Sequence, residues 1–185
     1  MSEQVGASPK PPEYKDPELS ITAPKHEVEM FRVTQALNYA TQWFWESAPE
    51  GAEVINLTVS SYPEPILDFL SKNEPTLSEQ AKLLLRVAAE KNKLITEGAK
   101  AQDVVTIKGK EASNFTDYRI DVTFNETLNK LLDSNDPLLD NIMKVTSQRD
   151  TLKVAQFITA NKPNLTPLAL DFLHQDLIIR ARYSL

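Results

Sequence analysis

Imidazole bases and thiols are few in these 185 residues: two imidazoles, His26 and His174, and no thiol. His174 follows Asp171 by three residues, the helical spacing at which a carboxylate meets a ring. An Asp–His pair activates nothing unless a nucleophile joins it, and none is spaced to do so, so His174 reads as a surface or boundary residue. Asp133-Ser134-Asn135-Asp136 opens like a calcium loop, but its sixth position, which needs a turning glycine, is Leu138. Its twelfth, which needs a bidentate Glu, is Lys144. The four glycines, Gly6, Gly51, Gly98 and Gly109, are isolated, whereas a phosphate cradle needs them close together. With no cysteine, disulfides, thiolate catalysis and Cys-based zinc sites are excluded. The expectation is a chain with no catalytic residue, no cofactor and no metal.

Recognition chemistry is better represented. Tyr39, Trp43, Phe44 and Trp45 bunch together, and three consecutive rings on a helix point about 100° apart, so they cannot all enter one core. At least one faces outward, where Tyr and Trp serve as anchors for a partner. Acids follow at Glu46, Glu50 and Glu53 and continue through Glu64, Asp68, Glu74 and Glu79, against the single base Lys72. This stretch carries the whole net charge of −6. The candidate partner-binding set is therefore Tyr39, Trp43, Phe44, Trp45, Glu46, Glu50 and Glu53. Direct nucleic-acid binding is not expected, because neutralising phosphates takes clustered Lys and Arg. An acidic face instead steers a basic partner.

The elements that must position these residues follow from periodicity. Met30, Val33, Leu37, Ala40 and Phe44 form one helical stripe over 28–48, which Pro49 and Gly51 end. Ile55, Leu57 and Val59 alternate with polar neighbours and predict a short strand. Pro65 suits the first turn of a helix to about Lys72. A longer helix over 77–97 buries Ala81, Leu84, Leu85, Ala88 and Ile95, with Gly98 as its cap. Val105 and Ile107, then Tyr118, Ile120, Val122 and Phe124, alternate again and predict a β-hairpin over 103–124. The remainder reads as three or four helices broken near Pro137 and Pro163.

One motif occurs three times: an apolar pair, two polar or small residues, Asn, any residue, Pro, any residue, Leu. The copies centre on Asn73, Asn135 and Asn161. Asn tolerates the left-handed conformation that stops a helix, and Pro two residues on prevents its continuation. Thr76 and Glu79 have capping-box spacing, and Thr166 precedes Pro167, a good first helical residue. Ala81 and Leu85 correspond to Ala169 and Leu173, which raises duplication of one helix pair. The Asn spacings of 62 and 26 exclude a regular solenoid.

The expected class is α+β, mostly α: an irregular helical bundle with an antiparallel sheet of about three strands. A flexible Pro-rich arm over 1–26 (Pro9, Pro11, Pro12, Pro17 and Pro24) precedes one globular domain over 27–185. Neither a membrane span nor a signal peptide is legible, so the four Asn-x-Thr sequons at Asn56, Asn114, Asn125 and Asn164 carry little weight. The expected setting is the cytoplasm, a virion or another large intracellular assembly. The expected role is a non-enzymatic structural or assembly subunit that contacts protein partners or copies of itself through the arm and the aromatic helix end. The alternative is an adaptor or inhibitor that presents the acidic face to a basic partner.

Overall fold

The 310 turns, caps and apolar stripes of this chain produce eight helices and two strands in a computed structural model that describes residues 18–60, 62–99 and 103–183, with Gly6 and Pro9. Strand β1 (Ser20–Pro24) leads into α1 (Lys25–Ser47), a short α2 (Ala52–Thr58), α3 (Pro63–Asn73) and α4 (Glu79–Glu97). Strand β2 (Val104–Lys108) then leads into α5 (Gly109–Asp133), α6 (Leu139–Thr146), α7 (Thr151–Asn161) and α8 (Pro167–Arg182). The class is α+β, mostly α. None of the described helices is long and apolar enough to cross a membrane.

Three expectations are corrected. The described residues form a two-stranded sheet, not one of about three strands. Residues 55–59 are not a strand: Val54, Leu57 and Thr58 share one face of α2, with Val54 fully buried. The 103–124 hairpin does not form, because β2 pairs with β1 and its expected second strand lies inside α5. Tyr118 to Phe124 imitate strand alternation because α5 is covered on two sides. Tyr118 meets Phe31 and Phe115 on one side, while Phe124 stacks on Phe172 of α8 on the other.

Most of the expected arm, 1–26, lies outside the described residues. Its last residues are ordered into β1 and the first turn of α1, because Ile21 and Ala23 alternate inward and bury against β2. The domain therefore begins before residue 27.

The order of elements in the first half, strand, long helix, short helix, helix, 310 turn, helix, repeats in the second. α7 begins 88 residues after α3 (63 to 151), and α8 begins 88 after α4 (79 to 167). Equivalent positions are buried alike: Val54 and Ile142, Ile66 and Val154, Leu70 and Ile158, Ala81 and Ala169, Leu84 and Phe172, Leu85 and Leu173. Phe44 and Leu131, 87 apart, fill corresponding places, and each accepts the capping N–H at the end of its long helix. β1 and β2 lie 84 apart, so the second long helix carries three extra residues in its middle. The described elements from β1 to α8 thus form a tandem repeat, of which the matching helix pair seen in the sequence is one part.

The two repeats face each other across a pseudo-twofold axis. In the antiparallel ladder Thr22 pairs with its own equivalent, Thr106, and their hydroxyls hydrogen-bond at 2.8 Å. On either side Lys25 N–H donates to Asp103 O and Gly109 N–H donates to Leu19 O, both at 2.7 Å. Phe31 meets its equivalent Phe115 edge to face at 5.3 Å. Each repeat has its own core, and a third, containing Ala23, Val28, Phe31, Ile107, Ala112 and Phe115, joins them. Ion pairs cross the junction symmetrically: Glu27 accepts two bonds from Arg119, and Glu111 accepts from Arg32.

Candidate partner-binding site

The far end of α1 carries the aromatic cluster. Phe44 enters the first repeat's core at 1% exposure, and this anchors the register of the helix end. The neighbouring rings therefore point elsewhere. Trp45 is 63% exposed and stands edge-on to Phe44 at 6.0 Å, and Tyr39, 64% exposed, stacks on half-buried Trp43 at 6.5 Å. Of the four predicted aromatic residues, Phe44 alone is core, and the others flank it on either side of the helix, Tyr39 with Trp43 on one flank and Trp45 on the other.

The acids divide similarly. Glu46 is exposed and accepts a hydrogen bond from Gln42. Glu53 is exposed in the first turn of α2, where a carboxylate favours the helix dipole. Glu50 turns inward to the start of α4, accepting from Ser78 N–H at 2.5 Å and from the Ser78 hydroxyl at 2.9 Å. Burial pushes its carboxyl up, but the two bonds from Ser78 and the one from the backbone of Glu50 itself together hold it below the usual Glu value. Glu50 is thus a structural member of the predicted set. Asp68, Glu74 and Glu79 pair with Lys72, Arg86 and Lys82, so the acidic stretch is partly neutralised within the chain.

The repeat provides an internal control for the aromatic surface. With Ala40 matched to Thr127 and Phe44 to Leu131, all four buried, the positions of Tyr39, Trp43 and Trp45 correspond to Glu126, Lys130 and Leu132. The second repeat builds the same helix end without an outward aromatic ring, so the fold does not require one there.

The other candidates remain apart. His174 is exposed on α8, as is Asp171, and no hydrogen bond joins them among the described residues. His26 is half-buried beside a cleft of about 170 Å³ with Lys25, Glu29, Glu97 and Asp103. Among the described residues no three His, Asp or Glu side chains converge to hold a metal ion. A polar groove of about 440 Å³ runs between α1 and α5 beside the axis, lined in part by Asn38, Asn114, Asp117 and Asp121, with Asp117 tied to Arg182.

Sequence reasoning missed a larger groove of about 710 Å³ between α3 and α4, with Pro63, Leu67 and Ala89 in it and Arg86, Glu90, Lys93 and Glu97 along it. The signal was present: those four charges recur at helical spacing on one face of α4. Comparison with family models, with curated proteins and with solved structures gives no match to this chain.

Proposed function

We propose that this protein is a non-enzymatic subunit of a protein assembly and that it engages a neighbouring protein through the aromatic end of α1. One observation carries the reading: rings stand out from both flanks of this helix end, Tyr39 stacked on half-buried Trp43 on one and Trp45 on the other, where the equivalent helix end has Glu126, Lys130 and Leu132. Exposed Tyr and Trp supply large contact area at small entropic cost and dominate many interfaces. Glu46 and Glu53 beside them favour a partner with basic residues around an apolar centre.

The test transplants the second repeat's residues onto the first, as Tyr39→Glu, Trp43→Lys and Trp45→Leu together. In extracts of the native source, the wild-type chain is expected to elute in a species much larger than its 20.8 kDa. The variant keeps its helical circular dichroism and leaves that species. Unchanged elution of the folded variant would sink the proposal.

The acidic-adaptor reading keeps Glu46, Glu53 and Glu64, which are exposed and make no ion pair among the described residues. Its distinguishing result is a one-to-one complex with a basic partner that dissociates as salt rises.

A further inference from the structure

We infer that the exposed face of α4 mates with the same face of a second copy of this chain, making a closed antiparallel dimer. Arg86, Glu90, Lys93 and Glu97 lie at i, i+4, i+7 and i+11, on one ridge of the helix. Reversed, this order of charges is its own complement. About a twofold between residues 91 and 92, Arg86 comes opposite the second copy's Glu97, and Glu90 opposite its Lys93. All four meetings across the axis are between opposite charges. A surface that complements itself under a twofold is what an isologous dimer needs.

The ridge is also free to re-pair. Glu90 makes no ion pair among the described residues. Arg86 holds Glu74 at 2.8 Å and Lys93 is 3.9 Å from Glu97, both between groups about half exposed or more, where such pairs contribute little. Beside the ridge, the α3–α4 groove supplies apolar area. Ala89 leaves its floor open, and Leu67 is half exposed at its edge. Helix packing does not dictate this opening, because the second repeat has the larger Leu177 at the position of Ala89. The second repeat also lacks the ladder: His174, Ile178 and Ala181 stand at the positions of Arg86, Glu90 and Lys93. Each chain therefore has one such face, and association stops at two.

The test is the mass of the full chain by sedimentation equilibrium across a range of concentrations and salt. Dimers are expected, weakening as salt rises. Glu90→Lys places two Lys–Lys meetings in each dimer and raises the dissociation constant at least tenfold, while Glu90→Lys with Lys93→Glu restores it to within about threefold. Trp45→Ala leaves the dimer intact, which separates this contact from the aromatic site. Circular dichroism confirms that each variant is folded. A chain monomeric at every concentration, or a dimer indifferent to Glu90→Lys, overturns the inference. So does a double variant that stays as weak as the single one, or a dimer broken by Trp45→Ala alone.

Discussion

The two repeats solve each local problem at the same place, often with different residues. At the corners after α3 and α7, Asn73 and Asn161 donate from their side-chain amides to Phe69 O and Phe157 O, both at 2.9 Å. A 310 turn follows each, closed at 3.3 Å by Leu77 N–H and Leu165 N–H. The next helix starts on a hydroxyl: Ser78 accepts from Ala81 N–H and Thr166 from Ala169 N–H, both at 3.1 Å. Each hydroxyl in turn donates at 2.9 Å to a carboxylate from an earlier loop, Glu50 in one repeat and Asp136 in the other. Farther along, buried Asn92 donates to Ser60 O in the first repeat, and buried Arg180 donates to Thr146 O in the second. Burial and hydrogen-bond geometry are preserved between the repeats, while surface chemistry has diverged. The aromatic end of α1 and the charged ridge of α4 belong to the first repeat alone.

The strongest way to break this correspondence is at the junction. Phe115→Ala removes a fully buried ring from the core the repeats share and is expected to destabilise by about 3–5 kcal/mol. Both tryptophans, Trp43 and Trp45, lie in the first repeat, so fluorescence follows that half while circular dichroism follows both. In denaturant the two signals are expected to separate in the variant and coincide in the wild type. Coincidence in both would make the repeats one cooperative unit held by more than this core.

Next comes the buried polar tie, where the halves should differ. Arg180→Ala strands Asp176, its buried partner at 2.7 Å, and is expected to cost about 3–5 kcal/mol. Asn92→Ala loses a neutral donor and leaves one carbonyl unpaired, about 1–2 kcal/mol. Equal losses in denaturant melts would mean that Asp176 finds another partner. At the corners the halves should agree: Asn73→Ala and Asn161→Ala each remove one amide-to-carbonyl bond, about 1 kcal/mol, and thermal unfolding that falls for only one would break the equivalence.

The smallest effect is that of Glu50. Its carboxyl is held below the ordinary value in the folded chain, so its stabilisation is complete above the unfolded Glu pKa, about 4.3. It is lost as pH falls through the folded value. Glu50→Gln is expected to lower stability by under about 1 kcal/mol at neutral pH and to flatten the acid side of the stability–pH curve. An unchanged acid limb would remove Glu50 from the cap.

Much of the helical frame was legible. The stripe of α1, the stop at Gly98 (φ 67°), the helix break at Asn161-Lys162-Pro163 and the Thr166-Pro167 start all depend on residues a few positions apart. Mechanism was less secure even there. Asn135 alone of the three takes the left-handed conformation (φ 54°), while Asn73 and Asn161 keep φ near −118° and −113° and act through their amides. Thr76 is no cap either; it donates to Asn73 O, and Ser78 begins α4. The candidate site was legible as a cluster, because three consecutive rings cannot share a core, but not in its division between Phe44 and its neighbours.

What the sequence determined by itself was therefore local: where several helices stop and start, the apolar stripe of α1 and that of α4 apart from Ile95, which is exposed, and that rings must face outward near Trp45. Only the tertiary structure decided that 55–58 and 118–124 are helical, since a short alternating run fits either element until its neighbours choose the buried faces. It also decided that β1 and β2 pair across a chain separation of 84 residues and that the two repeats oppose each other about Thr22 and Thr106. The repeat hides in the sequence because packing selects for volume and burial at each position, and Leu84 and Phe172 satisfy that equally well without being the same residue.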